Sequence, residues 1–224
     1  MKLLCFLIVM LFGATAYAGP SRQLVQELRK TVQVYVKTTS GEGILTASAF
    51  PIDKSRLITA GHFCEDAKEG AKKLELDERI YIRYLNVNDE ITTTSGGRIV
   101  KSRFDDHQDL CIIEFPKHGI APVSLAVKDE LKFGDLVYIV GAPLGVFPMI
   151  TEGYVSQPYS EGMPTARLDN KLLISGITGR GNSGGPIFNE KGEVVGVVVM
   201  VNTTYNHIAF AIPLRKIVTF LAQP

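Results

Sequence analysis

Between Thr31 and Ile212, apolar and polar residues alternate in short runs, each stopped by glycine, proline or a small polar cluster. Period-two alternation over so few residues fits half-buried strands and leaves no room for long helices. The runs fall into two sets. The first holds "TVQVYVKT", "GILTASAF", "RLITAG", "RIYIRYL", "GGRIVKSRF" and "LCIIEF". After the break "PKHGIAP" at 116–122, the second holds "DLVYIVGA", "MITEGYVSQ", "TARLD", "KLLIS", "GGPIF", "EVVGVVVMV" and "HIAFAI". Two groups of short strands predict two antiparallel barrels or sandwiches, over 31–118 and 123–212. Helical spacing is confined to the flanks. Over 21–30, Ser21 suits a cap and Leu24 and Leu28 share a face. Over 213–222, Pro213 suits a first turn, and Leu214, Ile217, Val218 and Leu221 form an apolar stripe.

The first residues carry a different signal. Lys2 precedes an apolar stretch, Leu3 to Phe12, that is too short to span a bilayer as a helix. Ala16-Tyr17-Ala18 places small residues where a signal peptidase reads. The expectation is a signal peptide over 1–18, a mature chain over 19–224 and export to the periplasm or the medium. An uncleaved N-terminal anchor is the alternative. No later stretch is long and apolar enough to cross a membrane. Beyond the signal segment only Cys64 and Cys111 remain, and a disulfide or two buried thiols fit equally. Their spacing is not that of a zinc site, so no metal and no other cofactor is expected. With 24 basic and 23 acidic residues the net charge is +1, which gives no footing for nucleic acid.

The stretch "GRGNSGGPIF" (180–189) places Gly181, Gly184 and Gly185 around one serine, Ser183. Glycine is entropically expensive, so three around one hydroxyl point to a backbone doing what other residues cannot. Acyl transfer by serine needs a base, an acid to orient it and preorganised donors for the oxyanion. Each has a candidate. His62 follows the apolar strand Leu57-Ile58-Thr59 and the small residues Ala60 and Gly61. Asp109 immediately precedes the apolar strand Leu110 to Phe115, where a carboxylate can be buried enough to fix one histidine tautomer. Ser183 is the nucleophile candidate, and the amides of Gly181 and Ser183 are the oxyanion donors if the loop curls. His107, His118 and His207 lie in polar or Pro/Gly-rich loops and read as solvated.

"TAGH", "DLCIIE" and "GNSGGP", in that order, resemble the His, Asp and Ser blocks of the trypsin-like serine proteases. "GAPLG" (141–145) and "GNSGGPIFNEKGEVVGVVV…IAFAIP" (181–213) narrow the resemblance to the HtrA protease domain. The likeness covers most of residues 31–220. It implies an all-β, chymotrypsin-like double barrel with short N- and C-terminal helices and the site in the cleft between barrels. It implies His62 as base, Asp109 as orienting acid, Ser183 as nucleophile and Gly181 as oxyanion donor. Protein or peptide substrates follow, with a homo-oligomer or an activating partner as further options. A protease-shaped binding protein with a resting site is the competing expectation. An ester hydrolase of the nucleophile-elbow type is disfavoured because His62 and Asp109 precede the serine.

Two departures stand out. HtrA proteins usually carry a PDZ domain after the protease domain, and this chain ends where one would begin, so PDZ-based substrate delivery is not expected within it. The family usually has proline before its Gly-Asn-Ser, and here Arg180 takes that place. In this fold the primary pocket is lined just before the serine and on the strand beyond it. That assigns Ile177, Thr178 and Val197 to Met200, including Val198, Val199 and Met200. The glutamyl endopeptidases resemble the chain at Thr178 but carry histidine where Val198 stands. Cleavage after Val, Ala, Ile or Leu is therefore expected, although Val197 to Met200 also alternate as barrel core must.

Overall fold

The structure, a computed structural model, describes residues 20–38, 44–73, 79–116, 118–162, 168–201 and 207–223. The expected signal segment, 1–18, lies outside the described residues. Helix α1 (Arg22–Leu28) comes first, capped by the Ser21 hydroxyl, which accepts from the Leu24 N–H at 3.1 Å. Next are strands β1 (Val32–Lys37), β2 (Ile44–Pro51) and β3 (Arg56–Thr59), helix α2 (Gly61–Lys73), and strands β4 (Ile80–Leu85), β5 (Ile91–Phe104) and β6 (Asp109–Glu114). The six strands close as a barrel in the order β1-β2-β3-β6-β5-β4, every pair antiparallel.

The second unit holds β7 (Ser124–Leu125), β8 (Leu136–Gly141), β9 (Met149–Gln157), β10 (Leu172–Gly176), β11 (Pro186–Phe188), β12 (Glu193–Val201) and β13 (Ile208–Pro213). Its sheet runs β11-β8-β9-β10-β13-β12 and closes through a β11–β12 pairing, with the short β7 added parallel to β12. Helix α3 (Leu214–Ala222) ends the ordered elements. The double antiparallel barrel is thus the architecture expected from the strand pattern. Of the expected strand "TARLD", Leu168 and Asp169 lie in a turn and 165–167 lie outside the described residues.

Helix α2 lies where the sequence reading has only a loop after His62. Its composition is polar, and its packing face is short: Phe63, Cys64 and Ala67, at i, i+1 and i+4, enter the first barrel's core. That core is lined by Val32, Val34, Leu57, Ile82 and Ile113, and the second barrel's by Val137, Ile139, Leu172, Ile174 and Ala211. A third cluster lies between the barrels. Phe50, Ile58 and Leu110 of the first meet Tyr138, Val140, Phe188 and Val197 of the second. Burying each of these large side chains is worth about 1.5–3 kcal/mol, so the barrels are held together by ordinary core packing.

Both end helices join this cluster. Leu24 and Leu28 of α1 enter it, and α1 lies against the β11–β12 turn, where a Cβ on Gly192 would stand 3.6 Å from Leu24 Cδ1. Ile217 and Phe220 of α3 enter it too. The Lys101 ammonium on β5 donates to the Phe220 and Gln223 carbonyls, both at 2.6 Å, at the helix end that favours a cation.

His118 corrects the sequence reading. It was expected in solvent and is 1% exposed, with Nδ1 accepting from the Ile120 N–H at 3.1 Å. Burial lowers its pKa below the usual 6.5, and nearby Asp53, through its backbone and its charge, opposes this only in part. An unfolded chain therefore takes up a proton at His118 below about pH 6.5 that the folded chain refuses, so stability falls as the medium is acidified. Urea midpoints measured from pH 7.5 to 5.5 should fall less steeply for His118→Gln than for the wild type. Parallel curves would remove His118 from the account.

Candidate active site

His62 stands in the first turn of α2, three residues beyond the end of β3. Asp109 opens β6, which pairs with β3, so adjacent strands bring the two together from 47 residues apart. His62 Nδ1 lies 2.8 Å from Asp109 Oδ2, and the His62 backbone N–H donates to Asp109 Oδ1, also at 2.8 Å. The carboxylate is thus engaged at both oxygens by one residue. With the ring proton on Nδ1, Nε2 keeps its lone pair free to accept. The Asp109 side chain is 9% exposed and that of His62 25%, so the acid is shielded and the base reachable. The Phe104 ring stands edge-on, 6.0 Å from the imidazole centroid.

A disulfide braces this pair. Cys64 on α2 is bonded to Cys111 on β6, which resolves the choice the sequence left open. Each cysteine lies two residues beyond one member of the His62–Asp109 pair.

Ser183 comes from the second barrel, in the loop before β11. It is partly buried, and its carbonyl accepts from the Ser48 N–H of β2 at 2.7 Å. Gly184 shows how close the barrels come here. Its φ is +82°, and an added Cβ would stand 2.2 Å from Ser48 O and 2.7 Å from Ala60 N, two residues before His62. Among the described residues no hydrogen bond joins Ser183 Oγ to His62. Such contacts are commonly long in an unoccupied site and tighten around substrate.

The amides of the loop divide cleanly. Asn182 N–H donates to Gly179 O, Gly184 N–H to Val198 O and Gly185 N–H to Asn182 O. Those of Gly181 and Ser183 donate to no carbonyl or side chain of the described residues. Gly181 has φ +102°, and a Cβ there would stand 2.3 Å from Ala142 O, so only glycine fits. The Arg180 side chain is exposed, while its carbonyl accepts from the Leu144 N–H at 2.7 Å. A trans peptide holds C=O and N–H on opposite sides, so this bond turns the Gly181 N–H away from the 142–145 turn.

The pocket candidates are dispersed. Ile177 is 57% exposed, with its carbonyl held by the Thr151 hydroxyl at 2.9 Å. Thr178 is buried, and its Oγ1 has no hydrogen-bond partner among the described residues. Val198 packs in the second barrel's core and Val199 in the cluster between barrels, while Met200 is half-buried. Sequence reading missed Ser48, which holds the serine loop from the first barrel and is itself held by Thr59, and Leu144, which holds the Arg180 carbonyl within the second. Only "GAPLG" gave a signal, as a stretch shared with a family.

Two antiparallel barrels, with a His–Asp pair on one and a glycine-rich serine loop on the other, define the class of trypsin-like peptidases. The profile of the trypsin-like peptidase domain matches residues 43–197, and the chain belongs to that family. Within it, the similarities run to HtrA-type proteases. A probable periplasmic DegP-like serine endoprotease of Ectopseudomonas mendocina is 34% identical over 50% of this chain and 24% of its own length. A putative serine protease, HhoA, of Synechocystis is 30% identical over 75% of this chain and 40% of its own. This chain therefore spans well under half the length of either relative. The solved structure of Deg5 superposes with a TM-score of 0.69 at 24% identity, covering 88% of this chain and 89% of that one.

Proposed function

We propose that the chain is an exported serine endopeptidase that cuts extended, unfolded or exposed protein segments. The observation that carries this reading is the His62–Asp109 pair on one barrel and, on the other, a serine loop whose Gly181 and Ser183 amides have no acceptor among the described residues. In the proposed reaction His62 Nε2 takes the Ser183 hydroxyl proton as Oγ attacks the peptide carbonyl. The oxyanion accepts from the two free amides, and Asp109 stabilises the imidazolium. His62 then gives the proton to the departing amine, leaving an acyl-serine. Water repeats the sequence, with His62 again as base, to release the acid and restore the hydroxyl. Substrate lies extended along the second barrel, as added strands do. The pocket assigned to Ile177, Thr178, Val198, Val199 and Met200 carries no acidic side chain, which favours Val, Ala, Ile or Leu before the cut. Export is supported by the segment 1–18 and by the periplasmic placement in the DegP-like relative's name.

The test is covalent labelling. Purified protein treated with a fluorophosphonate should carry the adduct on Ser183, located by mass spectrometry, and Ser183→Ala should carry none. A folded, unlabelled wild type would favour the binding-protein reading. An adduct elsewhere would reassign the nucleophile.

A further inference from the structure

Gly181 has no side chain to hold it, and its backbone must keep one amide aimed at a developing charge. Two contacts restrain it. Ahead of it, the Arg180 carbonyl is tied to the Leu144 N–H at 2.7 Å. Behind it, the Gly181 carbonyl accepts from the Ser48 hydroxyl at 2.7 Å, and Ser48 Oγ in turn accepts from the Ala142 N–H at 2.9 Å. Ser48 is on the first barrel, 133 residues from Gly181, and is wholly buried. Each of its polar groups is used. The amide donates to Ser183 O, and the carbonyl accepts from the Thr59 hydroxyl, both at 2.7 Å.

The space around the hydroxyl is shaped for it. A Cβ on Gly141 would stand 2.7 Å from Ser48 Oγ, and one on Gly185 would stand 3.2 Å from Ser48 Cβ. One hydroxyl thus joins β2 to both the turn after β8 and the serine loop, in a buried place where an unmade hydrogen bond is expensive. We infer that Ser48 is a positioning residue for catalysis: its hydroxyl holds the Gly181 backbone so that the amide before it stays open to the oxyanion. Without it, Gly181 O and the Ala142 N–H lose their common partner. Gly181, at φ +102°, then has only the Leu144 contact to the preceding carbonyl to hold its orientation.

The inference rests on the peptidase reading, and the test separates the two. Wild type and Ser48→Ala are compared on one peptide substrate, with active sites counted by titration. A group acting only on the oxyanion lowers kcat and kcat/KM together. The expected fall is about 10- to 100-fold, short of the loss from deleting a donor outright. KM should stay within about twofold. Inhibition by a peptidyl aldehyde, whose adduct carries the oxyanion, should weaken by the same factor as kcat. An uncleavable peptide of the same sequence should bind unchanged. Unaltered kcat, or a change confined to KM, would overturn the role of Ser48. If Ser48→Ala does not fold by circular dichroism, Ser48→Gly is read on the same four quantities. A wild type without turnover would take down the peptidase reading and this inference together. An active wild type with an equally active variant would take down this inference alone.

Discussion

Asp109→Asn is expected to lower kcat by about four orders of magnitude while leaving KM near the wild-type value. The reason lies in the two contacts of the carboxylate. Oδ1 accepts from the His62 backbone N–H and Oδ2 faces His62 Nδ1, each at 2.8 Å. An asparagine can keep the first contact with its carbonyl oxygen. Its NH2 group then faces Nδ1 and donates, which forces the ring proton onto Nε2. A protonated Nε2 cannot take the Ser183 proton, and the imidazolium loses its anionic partner. Geometry survives and chemistry does not. Steady-state hydrolysis of a short apolar peptide checks this, with fluorophosphonate labelling rates as a second measure. A variant that turns over at the wild-type rate would show that another group orients His62.

The largest expected stability effect belongs to the Cys64–Cys111 bond. It closes a separation of 47 residues, for which chain entropy alone gives about 4 kcal/mol, within an observed range of roughly 2–5 kcal/mol for native disulfides. The double variant Cys64→Ala/Cys111→Ala should therefore unfold at much lower urea concentration than the wild type. Both cysteines are fully buried, so part of the loss will come from removing packed sulfur. The bond also ties α2 to β6 beside the His62–Asp109 pair, so the proposed activity near the new midpoint should fall with the fold. An unchanged midpoint would mean that packing alone holds α2 in place.

The strands were legible because they are short runs rich in β-branched and apolar residues whose ends are marked by turn residues. "MITEGYVSQ" and "EVVGVVVMV" coincide with β9 and β12 as observed. The candidates His62, Asp109 and Ser183 were legible because each lies at or within a few residues of a strand end, inside a short, unusual motif. Helix α2 was not, because three inward residues on a polar segment make too weak a period. The burial of His118 was hidden for a related reason: a Pro/Gly break looks like a solvated loop whatever packs on it. Ser48 was illegible in principle. Its hydroxyl's partners, Ala142 and Gly181, lie 94 and 133 residues away, and a serine within an alternating strand announces nothing. The disulfide needed the strand pairing of β3 with β6 before its two cysteines could be seen to face each other.

The end helices have crossed over: α1 precedes the first barrel and leans on the second, while α3 follows the second and is capped by the first. The first barrel by itself supplies the β3–β6 pairing that brings His62 and Asp109 together. The apolar faces of Phe50, Ile58 and Leu110 share a cluster with residues up to 170 positions further along the chain, Phe220 among them. The core between the barrels is thus closed by segments from both flanks of the chain, and either barrel alone would leave its share of these faces open to water.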